Sequence, residues 1–442
     1  MPSWSTHSSP SLLLKLLQLA LNESKPKSNT PRHESFWTTL YIMSTQLLRK
    51  YWFLVGLAMV ISLAVAFPDV ARYGGYLHAE WTIKWGAVIL IFFISGLSLR
   101  TQTLAETVLR IRLHFLVQMI SLVLIPFFVF GFVLLLFKAN VHMDSLLLIG
   151  LVIAASTPTT VSSNVVMTKN AGGNEATALM NAATGNLLGI FVSPALVSFF
   201  QEPLVDATPE PDSVTKIDGQ VHFASVLMQL GLSVLLPLVV GQAVQWIAPV
   251  TVVHIKERCR LSDISSVALL SLVWAVFSNA VYAHSFDAVK ASDICVVALI
   301  NLLFYGIFCA LCFYLAHYLP FPRLRYSRQD TVAVMYCGAT KTVAMGVPLI
   351  NVLYENADPG TVGVLMTPLL LYHIEQLIIG NIQVDFLKRW IQKDEENSSS
   401  SSSNMDDYCH FDDDDNDDGS SSSDLTLCDE SCKDHHDVYQ KV

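Results

Sequence analysis

Charge is what this 442-residue chain has least of. Asp, Glu, Lys and Arg together make up 14% of it, where a soluble domain carries about a quarter. Hydrophobic residues make up 52% and the mean hydropathy is +0.46, leaving too little polar surface to keep a body of this size in water. The formal net charge of −10 hides where the charge lies. From 393 to 442, 16 acids face 3 lysines, a net −13 that leaves +3 on the rest of the chain. A weakly basic apolar body with an acidic tail excludes a soluble enzyme and argues against nucleic acid as a partner. Catalytic and nucleotide motifs are missing as well. The sequence has no HExxH, GxSxG, Walker A loop or Rossmann glycine pattern.

A disulfide framework is also absent, although the chain has 8 cysteines. Cys295, Cys309, Cys312 and Cys337 sit in apolar runs, where a thiol behaves as a small hydrophobe. Cys259 lies in a basic loop, and Cys409, Cys428 and Cys432 lie in the acidic tail. Cys428 and Cys432 stand close to His435 and His436, but too compactly for the two separated ligand pairs of a zinc finger. The cysteines are therefore expected to be reduced, with no metal and no cofactor.

What the chain does have is long apolar runs. A membrane helix needs about 20 mostly apolar residues. Ten runs qualify: 50–68, 83–99, 113–137, 145–168, 175–199, 222–247, 262–283, 292–319, 329–354 and 360–387. Lys and Arg collect on cytoplasmic loops. With the N-terminus inside, the inner loops carry 12 of them, against 5 on the outer loops. This predicts an all-α polytopic membrane protein of ten transmembrane helices with both termini cytoplasmic. The sequons at Asn22 and Asn397 then lie on the inner side, where no glycan is added.

Three regions follow: an N-terminal tail over 1–49, a ten-helix body over 50–391 and an acidic tail over 392–442. In the first, LLLKLLQLAL from Leu12 to Leu21 is too short to span and reads either as an interfacial amphipathic helix or as a weakly ordered leader. The last is rich in Ser and Asp, lacks the apolar area to offset chain entropy and is expected to be disordered. It also lacks the spaced ligands and Gly of an EF-hand loop.

The fourth and ninth runs are interrupted. The fourth reads IGLVIAASTPTTVSSNVVMTK, with Pro158 among seven hydroxyl or amide residues between 156 and 164. The ninth reads AVMYCGATKTVAMGVPLIN, with Gly338, Lys341, Gly346 and Pro348. Proline removes a backbone donor and clashes one turn back. Non-helical backbone at membrane depth survives only inside protein or beside a water-filled cavity. These runs are the fourth members of two five-span halves, the best sequence pointer to a transporter binding site. Because five is odd, the halves run in opposite senses, so the expected architecture is two inverted five-helix repeats with discontinuous fourth and ninth helices crossing.

STPTTVSSNVVMTKNAGGNEATALMNAATGNLLGIFVSPAL resembles the fourth and fifth spans of the bile acid:sodium symporter superfamily, with Ser163-Asn164 on its Ser-Asn crossover pair and Gly173-Asn174 on the following Gly-Asn. GLSLR (96–100) ends the second span as in its relatives, and, more specifically, GGNEA, Lys341 and LLLYH (369–373) resemble its cotransporter 7 branch and that branch's fungal relatives. The likeness covers roughly 50–391. It implies a core of spans 3–5 and 8–10 and a panel of spans 1, 2, 6 and 7. It also implies a role in restraining cytosolic calcium influx, at the plasma membrane or in secretory organelles. Three readings follow: a secondary carrier, a regulator working through calcium-channel or other protein partners, or a sodium-coupled organic-anion symporter.

The departures bear on coupling. Sodium-coupled members carry a Glu and a Gln on the ninth span, where this chain, aligned on Gly338, has Tyr336 and Thr340. Their fifth-span hydroxyls fall on Ala178 and Ala182, while a third-span Gln survives as Gln118. Lys341 stands where those members have a neutral amide. A sodium ion about 4 Å from an ammonium meets repulsion of roughly 4 kcal/mol at an effective dielectric near 20, with no acid at the Glu position to offset it. Lys341 is therefore expected to act as a built-in cation, holding the crossover and favouring a small anion as solute. Buried charge is usually partnered, and Glu375 is the expected partner, with His373 two residues earlier. Asn181, Thr184 and Asn186 complete the set of polar candidates on the fifth span.

Overall fold

A computed structural model describes residues 52–53, 55–98, 110–208, 223–284, 289–318, 325–354, 357 and 359–409. The leader helix, the Asn22 sequon, Arg100 and most of the acidic tail fall outside these residues. The described residues are helical, with no strand among them. In chain order the helices that build the body are α1 (Val55–Ala66), α2 (Ala79–Ser98), α3 (Ile111–Lys138), α4 (Ser145–Ser156), α5 (Ser162–Asn170), α6 (Glu175–Ala207), α7 (Ser225–Ile247), α8 (Leu261–Tyr282), α9 (Ala291–His317), α10 (Arg328–Ala339), α11 (Val343–Leu353) and α12 (Pro359–Cys409), with short unnumbered helices at Pro68–Ala71 and Pro249–Arg258.

By length and composition eight stretches can cross a membrane, with α10 and α11 forming one of them; α1 and α4 are shorter apolar helices. The chain is thus a multi-pass helical membrane protein. Side chains such as Leu299, Leu303, Ile382 and Phe386 are 60–71% exposed, an apolar surface that suits lipid rather than water. α12 runs past the compositional boundary at 392 to Cys409. Extending an existing helix avoids the cost of nucleation, so even a serine run can continue one.

Side-chain caps set several helix starts. Asp144 accepts the amides of Leu146 and Leu147 at 2.9 and 3.1 Å, Asn174 that of Thr177 at 3.1 Å and Ser327 that of Asp330 at 3.1 Å. Each satisfies an amide that the first helical turn leaves without an intrahelical partner.

α2, α7 and α8 pack together, as do α9, α10 and α12 and, around α4, α3 and α12. The stretch holding α10 and α11 is the most enclosed, 94% buried over its most apolar window against 44% for α6. Small residues let backbones touch. A Cβ on Gly96 would stand 2.3 Å from the Leu238 carbonyl oxygen, and one on Gly241 2.3 Å from that of Phe93. Both clashes are with backbone, so α2 and α7 would have to part. Gly96→Ala and Gly241→Ala are each expected to cost about 1–3 kcal/mol. One parting serves both, so the double variant should cost less than the sum. Thermal unfolding of the four purified forms checks this.

Candidate functional site

Two non-helical stretches face each other in the interior. After Ser156 the helix stops, and regular structure resumes only at Ser162. After Ala339 it stops again until Val343. The backbone groups so released need partners, because lipid offers none and a buried N–H or C=O left unpaired is costly.

Several of them find partners across the fold. The Thr342 amide donates to the Pro158 carbonyl at 2.9 Å, joining the two stretches directly. Asn186 Nδ2 donates to the Thr159 carbonyl at 2.9 Å, and the Tyr372 hydroxyl to that of Ala339 at 2.7 Å. Gln376 clamps Lys341 twice. Its Oε1 accepts the Lys341 amide at 2.8 Å, and its Nε2 donates to the Lys341 carbonyl at 2.7 Å.

Side chains close the junction from within. Asn164, fully buried, donates to Thr159 Oγ1 and Thr340 Oγ1, both at 2.7 Å, and Thr159 and Thr340 hydroxyls sit 2.8 Å apart. Asn164 and Thr340 thus stand together, as the sequence reading requires of a shared site. Ser163 lies beside them, hydrogen-bonded to Thr160.

Lys341 is 1% exposed, so its ammonium does not reach a membrane surface. Nζ donates to the Ser121 carbonyl at 2.6 Å and the Thr157 carbonyl at 3.1 Å. Ser121 is available for a definite reason. Residues Ile120–Leu124 form a π-helical turn, in which the Ile125 amide goes to the Ile120 carbonyl. The next residue, Pro126, has no N–H to give. The Thr157 carbonyl is freed by the end of α4, where an ammonium also complements the helix dipole.

Glu375 is not the partner of Lys341. No ion pair joins them, and Glu375 Oε2 is without a hydrogen bond. Residues at i and i+2 point to different faces of a helix, so His373 and Glu375 cannot serve the same site. Gln376, three residues on from His373, can and does, and that i+3 spacing was the signal that would have found it. Tyr336 also turns away, donating to the Gly380 carbonyl at 2.9 Å. Gln118 and Asn181 form a separate network between α3 and α6. Gln118 Nε2 donates to the Asn181 carbonyl at 2.9 Å, and His114 Nδ1 lies 3.0 Å from Asn181 Oδ1. Pro158 packs under Gly189, and Gly338 against Cys312. Pro348 lies inside α11, one turn past its start, without ending it.

Against the junction lies a cavity of about 420 Å³. Trp52, Phe53, Ser95, Asp263 and Ser266 form one wall; Ser162, Ser163, Asn186, Thr342 and His373 form the other. The first turns of α5 and α11 both border it, so two helix N-termini bring partial positive charge to one space. The acid in its lining, Asp263, is paired with Arg260 at 2.5 Å. Lys341 instead lines a much smaller void of about 10 Å³.

A multi-pass helical body with irregular backbone beside a largely apolar cavity that carries a few polar groups defines a transporter-type membrane protein. The chain belongs to the SBF-like CPA transporter family, whose model matches residues 51–389. It is similar to Solute carrier RCH1 of Candida albicans, 35% identical over 387 residues covering 81% of this chain and 92% of that protein. Solute carrier RCH1 of Saccharomyces cerevisiae is 34% identical, covering 79% and 86%. Sodium/bile acid cotransporter 7 of Danio rerio is 34% identical, covering 78% and 95%.

Proposed function

We propose that the protein is a secondary carrier for a small anion, which binds in the cavity beside the junction of the two interrupted segments. The observation that carries this reading is the pair of helix N-termini, at Ser162-Ser163 and at Thr342, bordering one cavity. Oxyanions are held by such ends without a cationic side chain. Lys341 contributes as a fixed internal cation, bound by the Ser121 and Thr157 carbonyls, and makes sodium there unfavourable.

In this reading the membrane is crossed ten times, α4–α5 and α10–α11 each counting as one broken crossing, in two opposed halves. The core comprises α3–α6 and α9–α12, and the panel α1, α2, α7 and α8, within the ten-helix body over 50–391. Support comes from the cavity, which separates these groups, and from the packing of α2 on α7 and α8. Its lining approaches the ends that carry Lys169, Arg260 and Lys388, the cytoplasmic side if basic loops lie inside. At the opposite end Tyr73 bridges to Asn351 at 3.4 Å, and a Cβ on Gly363 would meet that of Ala280 at 2.3 Å. This arrangement fits an inward-facing state with both termini in the cytoplasm. The plasma membrane is the proposed site, a secretory-pathway membrane the alternative, and restraint of cytosolic calcium influx the physiological consequence of transport.

An untargeted metabolite comparison of vesicles with and without the protein tests this. One or more anions should accumulate differently, and replacing sodium should leave the difference intact. Asn164→Ala should reduce it about tenfold or more, since about 1.4 kcal/mol is a factor of ten and the variant removes the amide that both Thr159 Oγ1 and Thr340 Oγ1 bond to. Sodium-dependent uptake that disappears in Asn164→Ala would overturn the coupling. Calcium control retained in both Asn164→Ala and Lys341→Ala would instead favour action through protein partners.

A further inference from the structure

His373 borders the cavity, is 8% exposed, and packs edge-on against Phe53 with ring centroids 6.2 Å apart. Its Nδ1 lies 2.7 Å from Gln376 Nε2 and 3.4 Å from the Lys341 carbonyl oxygen. Which nitrogen carries the proton follows from how Gln376 is held. The Lys341 amide points at Oε1 at 2.8 Å and the Lys341 carbonyl at Nε2 at 2.7 Å. Flipping the side-chain amide would set donor against donor and acceptor against acceptor, so its orientation is fixed. One Nε2 hydrogen serves the Lys341 carbonyl and the other points at His373 Nδ1. A proton on Nδ1 would then collide with it, and the Lys341 carbonyl, 3.4 Å from Nδ1 and already bonded to Gln376 Nε2 at 2.7 Å, offers only a long second contact in its place. Nδ1 is bare, and the imidazole proton sits on Nε2.

We propose that Gln376 is a positioning residue that locks His373 as an Nε2–H donor toward the cavity, selecting a solute that presents an acceptor oxygen, a carboxylate or a phosphate. The crossover backbone and the donor are coupled through one amide, because Gln376 reads the Lys341 peptide on two sides and sets the His373 tautomer with what remains. A solute bearing only donors finds no matching lone pair on His373. The inference rests on the carrier reading for what enters the cavity, whereas the tautomer stands without it.

The full-length protein, labelled with nitrogen-15 only in its histidine rings and placed in lipid nanodiscs, reports the tautomer by NMR. The His373→Gln spectrum identifies the signal. The wild type is expected to show a bare Nδ1 and a protonated Nε2 that exchanges with water. In Gln376→Glu the carboxylate still accepts the Lys341 amide but has no hydrogen for Nδ1, so the proton should move to Nδ1. Gln376→Met, able neither to give nor to accept, should give both tautomers. Inorganic phosphate and acetate should move the wild-type Nε2 resonance and leave that of Gln376→Glu in place.

A wild-type proton on Nδ1, an unchanged tautomer in Gln376→Glu, or an Nε2–H sealed from water overturns the proposal. Neither anion moving the resonance overturns the solute class. The wild-type spectrum decides the tautomer even if a variant fails to fold. Because it is read without transport, a failed uptake assay is distinguishable from a failed tautomer.

Discussion

Lys341→Glu is expected to give no folded protein in the membrane, and Lys341→Ala a folded protein that no longer transports and that sodium now stabilises. In the wild type the ammonium is the donor for two carbonyls that the local backbone cannot satisfy, one stranded by the π-helical turn and Pro126, the other by the end of α4. A carboxylate there would face those oxygens at about 3 Å with no cation to offset it. Removing one partner of a buried charged group costs about 3–5 kcal/mol, and reversing the sign costs more. Alanine removes the charge and its desolvation cost together, leaving two acceptors worth about 1–3 kcal/mol each. The net change is modest and the fold should survive. The emptied space is bordered by Ser121 O, Ser121 Oγ and Thr157 O, hard oxygen donors suited to a small cation. Sodium at a hundred times its dissociation constant would stabilise such a variant by about 2.7 kcal/mol. Thermal unfolding with sodium against choline checks this: a rise in Lys341→Ala and none in the wild type. Equal responses would mean that Lys341 does not occupy a cation's place.

Much of this arrangement was legible from residue types. Apolar runs at spacing gave the helices, and Pro158 and Gly338 marked where two would stop. The interrupted runs pointed to the site, the family resemblance put Asn164 and Thr340 in it, and Lys341 stood out as a charge at membrane depth. What could not be read was the direction of each side chain. Tyr336 lies one turn before Thr340 yet serves α12. Glu375 is two residues from His373 and on another face. Lys341 looked as though it needed an acid, since sequence shows formal charges. Carbonyls released by a π-helical turn carry no residue signature, and three such turns among the described residues, at Thr82–Ala87, Ile120–Leu124 and Gly231–Leu235, passed unseen. Gln376 was missed because an isolated glutamine in an apolar helix reads as an ordinary interhelical bond. Its weight appears only when the broken backbone opposite is placed.

Asp330→Ala should lower thermal stability more than any other exchange at the basic-loop end of the bundle. Asp330, 6% exposed, receives Arg110 at 2.7 Å, Asn174 Nδ2 at 2.9 Å and Thr177 Oγ1 at 3.0 Å. It therefore holds the starts of α3, α6 and α10 to one carboxylate. The Asn174 amide also donates to the Gln329 carbonyl at 3.0 Å, so the contact is fixed in backbone as well as side chain. Losing one partner of a buried pair costs about 3–5 kcal/mol. Arg110 is half-exposed, and water takes up part of its charge, which brings the expected cost to roughly 2–3 kcal/mol. Asp330→Asn keeps an acceptor for Thr177 or Asn174 but not the charge, and should fall between alanine and wild type. Arg110→Ala should be mildest, because two neutral donors still hold the carboxylate. The order alanine, asparagine, Arg110→Ala in melting temperature, with Arg110→Ala and Asp330→Ala non-additive, is the expected result. An Asp330→Asn protein as stable as the wild type would show that hydrogen bonding alone, without charge, joins the three helices.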